Sequence, residues 1–459
     1  MHTVLNSVNL LSGVGMLSLP YAMSLCGWVV GISLLLFFPI LASTTAKLLI
    51  QCMEVRTTTL PGPAGGAASY TPKKSMSYGD AAETAFGPRA RRFIDVVYQL
   101  ELMAACVAFV ILASDSVHAL YPDIPLLAVK VAVAAVVLLT TFIKSVKVLS
   151  YGSAIGILCT INLLIIILFD GTSTYETPGS LWNPAQTEMW PRSWNRVALA
   201  IGMMFVGFDG HAVFPAIYRD MRTPESFAKC INLTYVVVTV LYLTVAVAGY
   251  LMFGNSILPE ITQNLPLIPG YNPASTNWTI YLIALNPIAK YALCLRPVHT
   301  SLEIRLASKK HASTIDEEEV IPPSPPPPYS ESVTPAVSSP PTPPFLPRTQ
   351  PPYRPPQPPV SPHTSTTASY FHAILIRSSL TLIILAIAIL FPHFHDVMAT
   401  LGSLFSGFVA VMFPCAAFGK LYWRDRELHR GIRVTVVAGL TVGVIIIVGG
   451  LSGVVWGPG

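Results

Sequence analysis

Two stretches carry residues that an ordinary membrane helix has no use for. Asn6 to Ala22 reads NSVNLLSGVGMLSLPYA, with Asn6, Asn9, Ser12, Gly13, Gly15 and Pro20 inside an apolar run. Ile201 to Phe227 reads IGMMFVGFDGHAVFPAIYRDMRTPESF, with Gly202, Phe205, Gly207, Gly210 and Pro215 around Asp209 and His211. Glycine and proline both weaken a helix. Unwound backbone at membrane depth is tolerated only where it lines a cavity or is covered by protein. A broken helix offers free N–H groups at the positive end of its second half, which attract a carboxylate. Its free carbonyls and side-chain oxygens meet an ammonium. That chemistry suits a small zwitterion. Glycine in one such span would read equally well as a packing contact. Two interrupted spans five helices apart point instead to an inverted-repeat transporter with a site at the midplane.

Polar groups at membrane depth are costly and tend to be functional. His211 is a candidate proton carrier, or else bonds a neighbouring helix. Asp209 is either its partner or faces the aqueous cavity. Glu101 and Asp115 are fourteen residues apart, about four turns, and share a helix face. Glu101 is a candidate for a proton path, and Asp115 is expected in water at the outer end. Lys290, in NPIAKYALCLRP, falls mid-span; a carboxylate or backbone carbonyl partner is expected, in a structural or a coupling role. Lys47 and Arg377 lie near span ends and are expected to snorkel. The sequence has no nucleophile motif, zinc signature, cofactor fingerprint or P-loop, so no cofactor or metal is expected. The lack of an ATP-binding domain argues for a gradient-driven carrier over a primary pump.

The elements that must position these groups are helices in a bilayer. Of 459 residues, 52% are hydrophobic and 11% charged, against about 25% charged in a soluble domain. The net charge of +5 does not imply nucleic acid. The seven cysteines are scattered singly and read as apolar packing residues. A bilayer core of about 30 Å needs about 20 apolar residues per helix. Runs of that kind occur near 5–25, 28–53, 93–118, 125–143, 148–170, 196–218, 230–254, 279–302, 371–391, 397–419 and 433–456. The expected fold is therefore all-α and polytopic, with about eleven transmembrane helices. The first two are divided only by a short corner at Ser24–Gly27. The first run lacks a charged leader and continues into the polytopic pattern, so no cleavable signal peptide is expected. With a cytosolic N-terminus, almost all of the 28 basic residues fall on the cytosolic side. Lys130, Arg192 and Arg196 are the main exceptions.

One transporter domain, 1–302 and 371–459, is expected to be interrupted by a disordered, Pro-rich cytosolic loop over 303–370. Within that loop Pro326, Pro327 and Tyr329 belong to a PPxY match, the pattern that WW domains bind in polyproline II form. A low-complexity insertion acquires such matches by chance. If the motif is used, the partner is a WW-domain ubiquitin ligase. On the non-cytosolic side, Asn277-Trp278-Thr279 is a glycosylation sequon close to the membrane.

These motifs resemble those of the amino acid/auxin permease family. NSVNLLSGVGMLSLPYAMSLCGW is similar to its opening helix, and GFDGHAVFPAIYRDMRTPESF to its sixth-helix signature. NPIAKYALCLRPV resembles its eighth-helix segment, and FPHFHDVMATLGSLFSGFVAVMFP its ninth-to-tenth segment. Within the family, Gly-His-Ala-Val-Phe-Pro is most similar to fungal vacuolar amino acid transporters and the vesicular inhibitory amino acid transporter. The resemblance implies a LeuT-type 5+5 inverted repeat in the first ten helices plus one extra helix. It also implies amino acid import into a vacuole or acidic vesicle in exchange for protons. Carried over by position, Asn9, Ser12, Gly13, Gly15, Gly207, Gly210 and His211 would form the substrate site, with Asn6 and Phe205 beside them. Proton coupling would involve His211, Asp209, Glu101 and Lys290. Members of this branch carry a long hydrophilic N-terminal tail, whereas this chain starts almost at the first helix, so no tail-dependent sorting is carried over. The loop between helices eight and nine is long for the family and receives no transferred role. Two rival expectations stand beside this one: a plasma-membrane uptake carrier driven by protons or sodium, and an amino acid sensor or scaffold signalling through the Pro-rich loop.

Overall fold

Positive φ at a single glycine turns the first apolar run into two passes. In the computed structural model, which describes residues 2–58, 77–143, 146–221, 223–318, 367–423 and 430–456, helix α1 (His2–Leu11) is followed by a 3-10 turn (Val14–Ser18) and by α2 (Leu19–Thr58). Inside α2, Gly27 adopts φ 70° and ψ 173°. A Cβ there would stand 2.8 Å from the carbonyl carbon of Trp190, so both conformation and space require glycine. Beyond the corner, the Trp28 and Val29 N–H groups donate to the Glu188 and Met189 carbonyls, each at 3.1 Å. The expected corner at Ser24–Gly27 is therefore a bend pinned by a distant loop.

The chain continues through α3 (Tyr78–Phe86), α4 (Pro88–Leu120), α5 (Leu126–Thr140), α6 (Val146–Ser173), α7 (Trp194–Phe205) and α8 (Phe214–Asp220). Then come α9 (Phe227–Phe253), α10 (Ile261–Asn264), α11 (Pro273–Glu318), α12 (Thr367–Leu390), α13 (Phe394–Thr400), a π-helical segment (Leu401–Met412), α14 (Phe413–Tyr422) and α15 (Arg430–Trp456). No strand occurs among the described residues. Helix α3 is not foreshadowed by hydropathy. A capping box starts it: the Ser77 side chain accepts from the Asp80 N–H, and the Asp80 carboxylate accepts from the Ser77 N–H.

Eight apolar stretches are long enough to cross a bilayer. One of them, Val14–Glu54, holds the Gly27 bend and so serves two passes. Two shorter apolar helices, Leu126–Thr140 and Trp194–Phe208, complete eleven. Packing repeats with a five-pass offset. The first pass (α1) lies against the seventh (α9), as the sixth (α7) lies against the second (α2). The first also meets the fifth (α6), as the sixth meets the tenth (the π-helical segment). This is the LeuT-type arrangement of two five-helix halves. Helix α15, the extra pass, packs on α7 and the π-helical segment.

By contact density the chain divides into Met1–His299 with Arg377–Gly459, which holds the helical bundle, and Thr300–Ile376. The second unit contains the end of α11 and the start of α12. The PPxY residues Pro326, Pro327 and Tyr329 lie outside the described residues.

Where α7 crosses the π-helical segment, Gly202 and Gly402 meet backbone to backbone. A Cβ on Gly402 would overlap the Gly202 carbonyl, and one on Gly202 would overlap the Ala399 carbonyl. No side chain can rotate away to relieve either clash. Gly402→Ala should therefore destabilise by about 1–3 kcal/mol, the overpacking range. The expected outcome is a lowered Tm of detergent-solubilised protein in scanning fluorimetry, with Gly431→Ala, where a Cβ meets nothing, unchanged.

Candidate functional site

The first break forms where Ser12 and Gly13 leave helical geometry, with Gly13 extended at φ −114° and ψ −155°. Pro20 stands at the second position of α2, where a missing N–H costs nothing. The second break runs from a 3-10 turn (Val206–Phe208) through Asp209, extended at φ −86° and ψ 118°, to the start of α8, again with a proline, Pro215, in its first turn. The two breaks touch. A Cβ on Gly15 would stand 3.0 Å from the Gly207 Cα, and one on Gly207 would stand 2.9 Å from the ring of Tyr242.

Breaking a helix strands carbonyls that water cannot reach, and buried carbonyls need donors. Helix α9 supplies them. The Tyr242 hydroxyl donates to the Leu11 carbonyl at 2.6 Å and lies 2.9 Å from the Gly207 carbonyl, so one proton is shared between the two breaks. The Tyr235 hydroxyl donates to the Phe208 carbonyl at 2.9 Å. Both tyrosines are buried, Tyr242 at 0% and Tyr235 at 3% exposure. Sequence reasoning missed both. The signal was present: they are seven residues apart, about two turns, on one face of one helix.

Three of the four proton candidates come together at the second break. His211, fully buried, directs Nδ1 at the Asp209 Oδ1 at 3.3 Å and Nε2 at the Thr45 hydroxyl of α2 at 2.9 Å. The same Asp209 oxygen accepts from the His211 backbone N–H at 3.1 Å. Thr45 lies 3.1 Å from the Leu41 carbonyl and 3.2 Å from that of Ala42, so it can donate to the backbone while accepting from the imidazole. Beyond Asp209 lie the Glu101 carboxyl of α4, in contact with it, and the nearby Ser406 hydroxyl of the π-helical segment, which makes no well-formed hydrogen bond. A polar chain thus runs Thr45–His211–Asp209–Glu101 across two helices and the second break. Thr45 and Ser406 were not foreseen, because a lone hydroxyl in an apolar span carries no signal of its own.

Lys290 stands apart from that chain, against the first break. A Cβ on Gly156 of α6 would meet the Asn9 Oδ1 at 2.9 Å, the Lys290 Cε at 3.0 Å and its Nζ at 3.1 Å. Helices α1, α6 and α11 therefore converge on one small notch. The expected carboxylate or carbonyl partner is absent: among the described residues no ion pair or hydrogen bond engages the Lys290 ammonium. The Thr160 hydroxyl reaches the Ser12 carbonyl at 3.4 Å. Buried polar atoms with no hydrogen-bond partner lie on α1 (Ser7 Oγ, Asn9 Oδ1), at the first break (Ser12 Oγ) and on α11 (Asn286 Oδ1). Asn286 is four residues before Lys290 and shares its helix face. This is a polar surface without internal partners.

The remaining expected residues fall elsewhere. Gly210 lies under Phe214 and Leu11, where its Cβ would stand 2.9 Å and 3.0 Å from their side chains. Phe205 is fully buried and packs edge-on against Phe38 at 5.2 Å between centroids, joining α7 to α2. Asn6 lies in α1. Asn277 is exposed in the second turn of α11, while the sequon's Thr279 is buried and its hydroxyl accepts from the Asn162 amide at 2.9 Å. Asp115 is half-buried beside Glu260 rather than standing in water, because α10 folds over its end of α4.

The sequence matches the family described as "Transmembrane amino acid transporter protein" over residues 1–456. Amino acid transporter AVT1C of Arabidopsis thaliana is 28% identical across 99% of this chain and 68% of its own length. Amino acid transporter AVT1D of the same plant is 30% identical across 68% of this chain, a match spanning about half of that relative, 54%. The vesicular inhibitory amino acid transporter of Xenopus laevis is 24% identical across 57% of this chain and 49% of its own length. Among solved structures, a manganese transporter of Eremococcus coleocola superposes with TM-score 0.51 at 14% identity, covering 100% of this chain and 87% of that one. That likeness concerns the fold alone. The eleven passes, the two touching breaks and the full-length match together make this chain a member of the transmembrane amino acid transporter family, a family of transporters and not of enzymes.

Proposed function

We propose that this protein is a secondary active carrier that moves amino acids into a vacuole or acidic vesicle in exchange for protons, by alternating access around the two helix breaks. The observation that carries the reading is the junction of both breaks at Tyr242, with the Thr45–His211–Asp209–Glu101 chain built into the second break. The first break offers backbone N–H groups at the start of a half-helix for a carboxylate. The unpartnered oxygens of Asn9 and Ser12 suit an ammonium. A proton entering between His211, Asp209 and Glu101 changes the charge on Asp209, whose side chain holds the His211 backbone in place. Proton occupancy and the shape of the second break are thereby linked. The vesicular relative supports an organellar location. Pro326, Pro327 and Tyr329 are proposed as the handle for a WW-domain ubiquitin ligase, Asn277 as a glycan acceptor, and residues 303–370 as a loop interrupting a single transporter domain set in the lipid bilayer.

Three measurements test this reading. Proteoliposomes with an acidic interior should accumulate labelled amino acids, and a protonophore should collapse the accumulation. Uptake that ignores the proton gradient, or follows sodium instead, would replace organellar antiport with plasma-membrane uptake. Binding without flux would leave a sensor. His211→Gln and Glu101→Gln should each lower proton-driven uptake about tenfold or more, the scale of losing a charged hydrogen bond of about 1.5–3 kcal/mol, while exchange without a gradient survives. Tyr242→Phe leaves two buried carbonyls without a donor. It should cost about 1–3 kcal/mol, seen as a lower Tm together with weaker substrate protection against unfolding.

A further inference from the structure

A second pair of carboxyls sits away from the breaks, at the end of the bundle where α9 returns towards α11. Glu260 immediately precedes α10 and is fully buried, yet neither of its carboxyl oxygens accepts a well-formed hydrogen bond. Its neighbours are the Asp115 carboxyl of α4, in hydrogen-bonding contact, and the Gln263 side chain. Asp115 in turn faces Lys130 of α5, with His118 of α4 and His393 before α13 nearby. Lys130 is 3% exposed, and its ammonium also donates to the Ala388 carbonyl of α12 at 2.9 Å.

The charges decide what this cluster can hold. Two carboxylates in contact in a dry place cannot both ionise without severe repulsion, so the pair retains one proton. With one proton the pair carries a single negative charge, which the Lys130 ammonium balances. With none it carries two, and one stays uncompensated. Burial and the neighbouring Asp115 carboxyl hold Glu260 well above the usual carboxylate range.

The segment that Glu260 belongs to covers the first break. Helix α10 packs on α4 and on the 3-10 turn Val14–Ser18. Its first residue, Ile261, is fully buried and meets Pro20 across the notch at Gly249, where a Cβ would stand 2.6 Å from Pro20 and 2.7 Å from Ile261. The segment is tied into one piece by Asn264, whose side-chain oxygen accepts from the Leu258 N–H at 2.9 Å and whose amide donates to the Ser256 carbonyl at 3.3 Å.

We propose that Asp115 and Glu260 form a second proton-binding site, separate from the His211–Asp209–Glu101 chain, which fastens the cover Ile257–Leu267 over the first break. Holding one proton, the pair keeps Glu260 inside and Ile261 on Pro20. Once that proton leaves, repulsion from Asp115 drives Glu260 towards water and lifts Ile261 with it. The sign follows directly: the cover is shut at low pH and released as pH rises. An acidic compartment on this face would close the site by loading the pair.

The test is the maleimide labelling of Ser18→Cys, in the turn beneath the cover, read by mass spectrometry of that peptide in nanodiscs. Each rate is divided by that of the Ser18→Cys/Glu260→Gln protein at the same pH, which cancels the thiol's own titration. Because Glu260→Gln cannot ionise, the ratio should rise several-fold between about pH 5 and pH 8. Asp115→Asn in place of Glu260→Gln should give the same curve, and either variant serves as reference if the other fails to fold. A ratio of one across the whole range would overturn the proposal, as would a rise seen against only one of two folded variants. Labelling needs no substrate, so this result stands or falls independently of the transport reading.

Discussion

A single hydroxyl carries the architecture. Tyr242 reaches from α9 to the carbonyls of Leu11 and Gly207, which belong to the two interrupted helices. Each interruption frees backbone groups in a place without water, where an unsatisfied carbonyl costs free energy comparable to a lost hydrogen bond. Tyr242 supplies the donor at that point. Because one proton serves both carbonyls, a shift at either break is felt at the other.

The glycines divide into two kinds. Gly15 and Gly207 allow the breaks to touch: a Cβ on Gly15 would press on the Gly207 backbone, and one on Gly207 would press on the Tyr242 ring. Gly202 and Gly402 allow helix backbones to cross where α7 meets the π-helical segment. The first kind brings the two breaks together and the second brings two helices together. Gly202 looks like part of the broken stretch in the sequence, but α7 remains helical through Phe205, so its role is packing.

Ionisable groups follow the same rule of compensation. Asp209 is held by His211 and by the His211 backbone N–H, and passes the contact on to Glu101. At the other carboxyl pair, Lys130 steadies Asp115, which in turn meets Glu260. Each cluster balances its charge only at a particular proton count. Lys290, like the buried Asp170, departs from that rule. It faces Asn9 and Gly156 with no internal counter-charge among the described residues, beside buried oxygens that also lack partners.

Much of this was legible in one dimension. Hydropathy marked the passes, the Ser24–Gly27 corner marked the bend, and the pairing of Gly and Pro with polar residues marked both breaks. These are properties of a chain segment and its solvent, so sequence alone determines them. The partners were another matter. Nothing local to Tyr242, Thr45 or Ser406 says that they meet the breaks, and nothing local to Glu260 says that it meets Asp115. Helical period reveals which residues share a face, but not which distant face lies opposite. That is decided by packing between helices far apart in the chain, and only the tertiary structure contains it.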